Sequence, residues 1–236
     1  IPIYNYRSIF LDVPISLTYN SGGVRVDEIG GRVGMSWNFQ AGGLITRTVL
    51  GKLDENSTRV MPPANFLTTV DGAEFADAVS VPFPLGMDAD SQPDLFSFNF
   101  LGYSGKFIID SNFNPVLLTY SDLKIETTWT PSAQFTFKVT AGDGVQYFFG
   151  GDSASEMTSQ YATGSSCGKP YPNPAITAWY LTSIIHPSGD TLWFDYRMIG
   201  TNYKTSISET LFRRNAAYTP NNCLIDQPQW PILDNS

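Results

Sequence analysis

Three aspartates near the middle of the chain are spaced as in the first part of a calcium-binding loop. Asp88, Asp90 and Asp94 lie in the run DADSQPD, and hard cations such as Ca²⁺ bind clustered carboxylate oxygens. The rest of the loop is missing, because Pro93 stands where the motif needs glycine and Asn99 where it needs a bidentate glutamate. A polar turn that enters a strand is therefore the favoured interpretation, and we predict no metal ligand and no cofactor.

His186 is the only histidine, so any Ser-His-Asp triad would have to use it. It precedes Pro187 in a tight polar turn, and no GxSxG nucleophile motif flanks it. The sequence therefore predicts a turn residue rather than a catalytic base. We expect no catalytic residue, and the chain is not expected to be an enzyme.

Cys167 and Cys223 are the only cysteines, which is too few for a structural zinc site. They do not form a CxxC redox motif. A single disulfide in a secreted protein and two reduced thiols are both compatible with this spacing.

A glycan site is the remaining chemical interpretation. Glu126 and Asp195 are examples of carboxylates that different strands could bring together for glycoside hydrolysis, but nothing singles out a pair. Trp129, Tyr147 and Trp193 could stack on sugars, although aromatic residues that alternate along strands are more often core residues. Glycan binding is therefore kept as an alternative function.

The composition favours strands and turns over helices. Phe, Tyr and Trp make up 14% of the 236 residues and charged residues only 15%, with 20 Gly and 16 Pro. The net charge of -8, without a long basic run, argues against nucleic acid or an anionic membrane as the main partner. No apolar run approaches the ~20 residues of a membrane-spanning helix. The opening Ile1-Pro2-Ile3 suggests a processed or truncated start.

We predict an all-β fold, in which antiparallel hairpins and meanders form a large curved sheet or a sandwich. Residues 1–51 form an N-terminal meander, and residues 52–93 an irregular insertion with room for a short helix. Residues 94–212 form a region of hairpins, and residues 213–236 a polar tail that continues into a missing part.

The stretch GGRVGMSWNFQAGGLITRTV, residues 30–49, is the least generic part of the chain. Trp37 is expected to anchor a sheet core, with Phe39 on the same strand face. Arg47 shares its strand face with Ile45 and Val49, so its charge needs a partner or a route to water. Phe96, Phe98 and Phe100 form a second aromatic face with period 2.

The stretch from Pro14 to Arg47 resembles the N-terminal segment of large Rhs/YD-repeat proteins of Bacteroidetes. In that family a PISLSYN-type strand precedes a GLGWSLNAGGxITR-like motif, which Pro14–Asn20 and Gly34–Arg47 match here, with Met35-Ser36 replacing Leu-Gly. Pro93–Asp110 and Ala178–Tyr196 resemble two further blocks of the family, in the expected order. The second motif also resembles, more distantly, the SpvB-like segment that opens the B component of insecticidal toxin complexes.

The resemblance implies a scaffolding role at one end of a hollow β shell that encloses or delivers a C-terminal effector, as in polymorphic toxins. The expected partner is the remainder of the same polypeptide or a secretion or outer-membrane complex, and the expected location is secreted or on the cell surface. We expect an isolated chain to expose strand edges and an apolar face. A carbohydrate-binding β-sandwich at the cell surface is the alternative. The residues expected to carry the packing and the turns are Gly34, Trp37, Phe39, Gly42, Gly43, Arg47, Phe96, Phe98, Gly102, Gly105 and Trp179.

Overall fold

The strands follow the alternating apolar pattern of the sequence. The structure is a computed structural model that describes residues 1–20, 22, 30–31, 33–50, 53–56, 58–59, 89–90, 92–130, 133–158 and 175–200. These residues all belong to one of the two units into which the chain divides. The strands are β1 (Pro2–Arg7), β2 (Asp12–Tyr19), β3 (Trp37–Ala41), β4 (Gly43–Thr48), β5 (Thr58–Arg59), β6 (Ala89–Asp90), β7 (Leu95–Phe100), β8 (Tyr103–Ile109), β9 (Pro115–Leu117), β10 (Lys124–Thr130), β11 (Ala133–Thr140), β12 (Gln146–Phe149), β13 (Ser155–Thr158), β14 (Ala175–Ile185) and β15 (Thr191–Trp193).

The prediction of an all-β fold is confirmed. Apart from the single-turn 3₁₀ helix Asp54–Asn56, the described residues contain no helix. It follows that none of the described residues belongs to a helix long and apolar enough to cross a membrane.

Ten strands form the main sheet, which is antiparallel throughout. Its order is β10-β11-β12-β14-β4-β7-β8-β9, and β13 and β15 also pair with β14. The first and last strands of this order, β10 and β9, lie next to each other, so the sheet is nearly closed and barrel-like. β14 is eleven residues long and pairs with four other strands, which makes it the centre of the sheet.

Aromatic side chains fill the interior of the main sheet. The rings of Phe96 and Phe107 stack with centroids 5.0 Å apart, and Phe137 meets Trp179 edge-on at 5.0 Å. Phe98 is also buried, so the predicted role of Phe96, Phe98 and Trp179 in packing agrees with their burial. The Nε1 of Trp179 has no hydrogen-bond partner among the described residues.

The predicted segments do not coincide with the sheets. β1, β2 and β3 form a separate three-stranded antiparallel sheet, here called the small sheet. β4 instead lies between β14 and β7 of the main sheet, so strands from both sides of the predicted insertion pair with each other. Within residues 52–93 the structure describes the 3₁₀ helix and the parallel pair β5–β6, while the predicted short helix after Pro63 and the tail over 213–236 lie outside the described residues.

Two details of the predicted packing are wrong. Phe39 is 54% exposed and Trp37 only half-buried, because both lie on the small sheet and not in the main core. Trp179 takes the place expected for Trp37 at the centre of the core.

The prediction that Gly105 lies at a corner is wrong, because Gly105 lies inside β8. A side chain there would collide with the ring of Phe98, since an added Cβ would lie 2.6 Å from its Cζ. The turn before β8 consists of Leu101 and Gly102 instead, both with positive φ.

Candidate functional site

The guanidinium of Arg47 is buried at one end of the main sheet and pairs with two carboxylates. Its Nε donates to Asp94 at 2.7 Å, and its Nη2 contacts the same carboxylate. Its Nη1 donates to Glu55 of the 3₁₀ helix at 2.9 Å, and Nη2 donates to the other oxygen of Glu55. The prediction that the charge of Arg47 needs a partner is thus confirmed.

Asp94 is the most enclosed member of this cluster. Its side chain is 0% exposed and it also accepts hydrogen bonds from the backbone N–H groups of Leu50 and Asp54. Burial raises the pKa of Asp94, and the charge of Arg47 opposes that rise only in part. Burial also opposes the charge on Arg47, but the hydrogen bonds and charges of Glu55 and Asp94 outweigh it and raise the pKa of Arg47.

The cluster lies at an end of the main sheet, and its carboxylates face Arg47. The oxygens of Asp94 are occupied by Arg47 and by backbone amides, while Asp88 lies outside the described residues. Among the residues that the structure describes, no group of three or more His, Cys, Asp or Glu side chains is arranged to hold a metal ion. We therefore interpret the Arg47 cluster as a structural ion-pair network that fixes β4, β7 and the 3₁₀ helix together.

The small sheet carries the candidate functional surface. Side chains that are paired across antiparallel strands lie on the same face of a sheet, and the register pairs Tyr6 with Val13 and Leu17 with Phe39. The alternation of β2 places its apolar residues on that face. The complete set, here called the aromatic face, is Tyr4, Tyr6, Val13, Ile15, Leu17, Tyr19, Trp37, Phe39 and Ala41.

Most rings of the aromatic face are open to solvent. Tyr4 is 62% exposed and Tyr19 60%, in addition to Phe39. The rings of Tyr19 and Trp37 contact each other with centroids 5.1 Å apart. The side chain of Val13, on the same face, is instead buried in the core cluster of the main sheet. The aromatic face is thus anchored at Val13, half-buried along its middle and exposed at four rings, which are Tyr4, Tyr6, Tyr19 and Phe39.

The opposite face of the small sheet is polar, and its outer strands have edges that are unpaired within the described residues. Cross-strand pairs such as Arg7 with Asp12 and Ser16 with Gln40 lie on that face. Within the described part of the chain, β1 and β3 each pair on one side only, with β2. Unpaired edges beside an exposed apolar face are typical of a surface that another chain segment covers.

Besides Val13, hydrogen bonds to Asp190 connect the small sheet to the main sheet. Asp190, in the turn before β15, accepts hydrogen bonds from the Ser8 hydroxyl at 2.5 Å and from the Phe10 N–H at 2.8 Å. These bonds lower the pKa of Asp190. The ring of Phe10 stacks on His186 at 4.9 Å, and His186 lies in a turn as the sequence predicted.

The other candidates from the sequence do not come together. Trp129 stacks on Phe113 and Tyr147 is buried, so of the three suggested sugar-stacking residues only Trp193 is largely exposed. Glu126 pairs with lysines. Cys167 and Cys223 lie outside the described residues.

The remaining predicted glycines lie in turns or at a close approach. Gly34 and Gly42 have positive φ in the turns before β3 and β4. Gly43 begins β4, where an added Cβ would lie 2.5 Å from the Asn99 carbonyl oxygen of β7.

Sequence reasoning expected an apolar face but did not identify Tyr4, Tyr6 and Tyr19 as its members. The signal was present, because Tyr4 and Tyr6 alternate with polar Asn5 and Arg7. These tyrosines are exposed. Tyr4 and Tyr6 precede the stretch that carries the family resemblance, whereas Tyr19 lies within it.

The fold and the surface together define an all-β protein with an aromatic core and an additional amphipathic sheet. No family model, no curated protein and no solved structure matches the chain.

Proposed function

We propose that this chain is the N-terminal structural module of a large, secreted or surface-exposed Rhs/YD-repeat protein. In this role it forms part of a β shell that encloses or delivers a C-terminal effector. The family assignment rests on the sequence motifs quoted above. The observation that carries the structural role is the exposed aromatic face of the small sheet.

The aromatic face favours association for energetic reasons. Full burial of a large apolar side chain contributes roughly 1.5–3 kcal/mol, so covering four rings that are about half exposed would contribute roughly 3–6 kcal/mol before the costs of association. Tyr4, Tyr6, Tyr19 and Phe39 are these four rings.

The edges of β1 and β3 that are unpaired within the described part of the chain favour one kind of covering segment. β1 and β3 present backbone N–H and C=O groups in the spacing of a strand, which another strand can extend by β-augmentation. A strand with alternating apolar residues would satisfy both the edge and the aromatic face. We expect the remainder of the same polypeptide to supply it.

The size of the protein in its native source tests this proposal. We expect an intact mass several times larger than the 26.0 kDa of this chain. Mass measured with and without reduction also shows whether a disulfide links the chain to another one. A stable, monodisperse species of 26.0 kDa would contradict the shell role.

A carbohydrate-binding module is the second candidate, because the same exposed rings could stack on sugars. It predicts saturable binding to a polysaccharide that is lost in Tyr19→Ala while the fold is retained. Tyr120→Ala, which removes an exposed ring of the same type outside the small sheet, is the matched control. Absence of binding on a broad glycan panel would exclude this candidate.

A further inference from the structure

A cavity of about 410 Å³ opens at the end of the main sheet opposite the Arg47 cluster. Asp94 directly precedes β7, whereas Leu101 and Gly102, which line the cavity, directly follow it. Tyr103 at the start of β8 and Tyr147 of β12 provide aromatic walls, with ring centroids 6.1 Å apart.

The N-terminal segment and a turn provide the other side of this cavity. Phe10 and His186 both line it, and their rings stack on each other. The cavity thus lies where the loop between β1 and β2 meets the main sheet.

The hydroxyl of Tyr147 faces the cavity and has no protein partner among the described residues. Tyr147 is only 6% exposed, and its hydroxyl makes no hydrogen bond with any residue that the structure describes. Tyr196, which is also well covered, donates its hydroxyl to the Leu181 carbonyl at 2.8 Å. The hydroxyl of Tyr147 is therefore available to a hydrogen-bonding group of a molecule in the cavity.

The cavity is also acidic. Asp143 lines it and uses Oδ1 to accept the Val145 N–H, and no cationic side chain among the described residues pairs with it. The carboxylate of Asp122 does not line the cavity but lies next to Gly142, the residue before Asp143, since a Cβ added at Gly142 would be 2.5 Å from Asp122 Oδ2. Asp12 also lines the cavity, but Arg7 neutralises it at 2.9 Å.

The electrostatics agree with this arrangement. Burial raises the pKa of Tyr147 to about 12, and the charges of Tyr103 and Asp143 contribute to the rise. Burial also raises the pKa of Tyr103, with further contributions from Asp143 and Asp122. A carboxylate attracts a cation by its charge, and the aromatic rings attract it by cation–π interaction.

We propose that this cavity binds an organic ammonium group, with Asp143 as the counter-ion, Tyr103 and Phe10 as the aromatic walls and the Tyr147 hydroxyl as a hydrogen-bond partner. The site does not depend on the proposed shell role. The ammonium group belongs either to a free alkylamine or to a lysine side chain of a peptide. Both sources present the same charged head on an apolar stem.

The test is a titration of the 236-residue chain with labelled tyrosine rings, followed by NMR at pH 8. The probes are n-butylammonium, its neutral counterpart 1-butanol, N-acetyl-lysine amide and tetramethylammonium. We expect saturable shifts of the Tyr103 and Tyr147 signals with n-butylammonium, at an affinity at least about tenfold higher than for 1-butanol. Comparison of n-butylammonium with N-acetyl-lysine amide distinguishes a free amine from a peptide lysine.

Variants identify the groups that act. Asp143→Asn keeps the oxygen that accepts the Val145 amide, removes the charge, and should weaken n-butylammonium binding about tenfold. Tyr147→Phe should weaken n-butylammonium binding severalfold but leave tetramethylammonium unchanged, because the latter has no N–H to donate. Asp195→Asn, at an exposed carboxylate that does not line the cavity, is the control and should change neither.

Equal binding of 1-butanol and n-butylammonium would overturn the proposal, as would the absence of saturable shifts. Stronger binding of a neutral sugar such as methyl glucoside would show that the cavity takes polyols instead. If Asp143→Asn does not fold, the comparison of charged and neutral probes on the wild-type chain still decides the question.

Discussion

Replacement of Arg47 by methionine tests whether the buried ion-pair network holds one end of the main sheet together. Methionine keeps much of the apolar stem but removes the hydrogen bonds that the Arg47 guanidinium donates to Asp94 and Glu55. Glu55 is 20% exposed and can turn towards water, whereas Asp94 is fully buried and would keep an unpaired carboxylate. Breaking a buried pair in this way costs about 3–5 kcal/mol, a large part of the ~5–15 kcal/mol that stabilises a typical domain.

The control is the matching substitution at an exposed ion pair. Arg7 and Asp12 pair at 2.9 Å with side chains that are 71% and 49% exposed, so Arg7→Met should cost less than about 1 kcal/mol. Arg47→Lys should give an intermediate value, because lysine keeps the charge but not the two-pronged geometry. Urea denaturation followed by tryptophan fluorescence measures all three free energies of unfolding. Equal losses for Arg47→Met and Arg7→Met would refute the reasoning.

Three further predictions follow from the fold. Phe98→Ala should lower the free energy of unfolding, measured by urea titration, by about 3–5 kcal/mol because it opens a cavity in the core. Phe39→Ala should change the free energy of unfolding of the isolated chain by no more than about 0.5 kcal/mol, because Phe39 is exposed. Equal losses for the two variants would contradict the burial assigned to them. Gly43→Ala should lower stability by at least about 1 kcal/mol in the same assay, because its Cβ would collide with the backbone of β7; an unchanged midpoint would show that β7 yields. Folding lowers the pKa of Asp190, so its contribution to stability is present above the unfolded-state pKa and is lost as pH falls through the lowered value. The protection factor of the Phe10 amide, which is the intrinsic exchange rate at each pH divided by the observed rate, should therefore fall in acid. Asp190→Asn should abolish this fall, and the same fall in the variant would contradict the role of Asp190.

Strand periodicity predicted the core better than the surface. The alternation of Phe96 and Phe98 with polar residues identifies an aromatic face, and the structure buries it. The same alternation around Phe39 is equally clear, yet Phe39 is exposed. Period 2 shows which residues share a face, but not whether another sheet covers that face, because this depends on contacts between distant segments.

Long-range contacts also explain the other differences. Arg47 could be predicted to need a partner from local sequence, but the partners Asp94 and Glu55 could not be identified, since Asp94 lies 47 residues away. The role of Gly105 is a similar case, because the need for glycine there comes from the ring of Phe98 on the neighbouring strand. The cavity is assembled from β8, β12 and the loop after β1, and no local pattern indicates such a combination.

The most direct test of the structural role is the accessibility of the aromatic face in the protein from its native source. Hydroxyl-radical labelling followed by mass spectrometry reports the exposure of Tyr4, Tyr19 and Phe39, with buried Trp179 as an internal reference. We expect strong labelling of these rings in the isolated 236-residue chain and weak labelling in the native protein, with Trp179 protected in both. Equally strong labelling in the native protein would contradict the claim that the aromatic face is an interface.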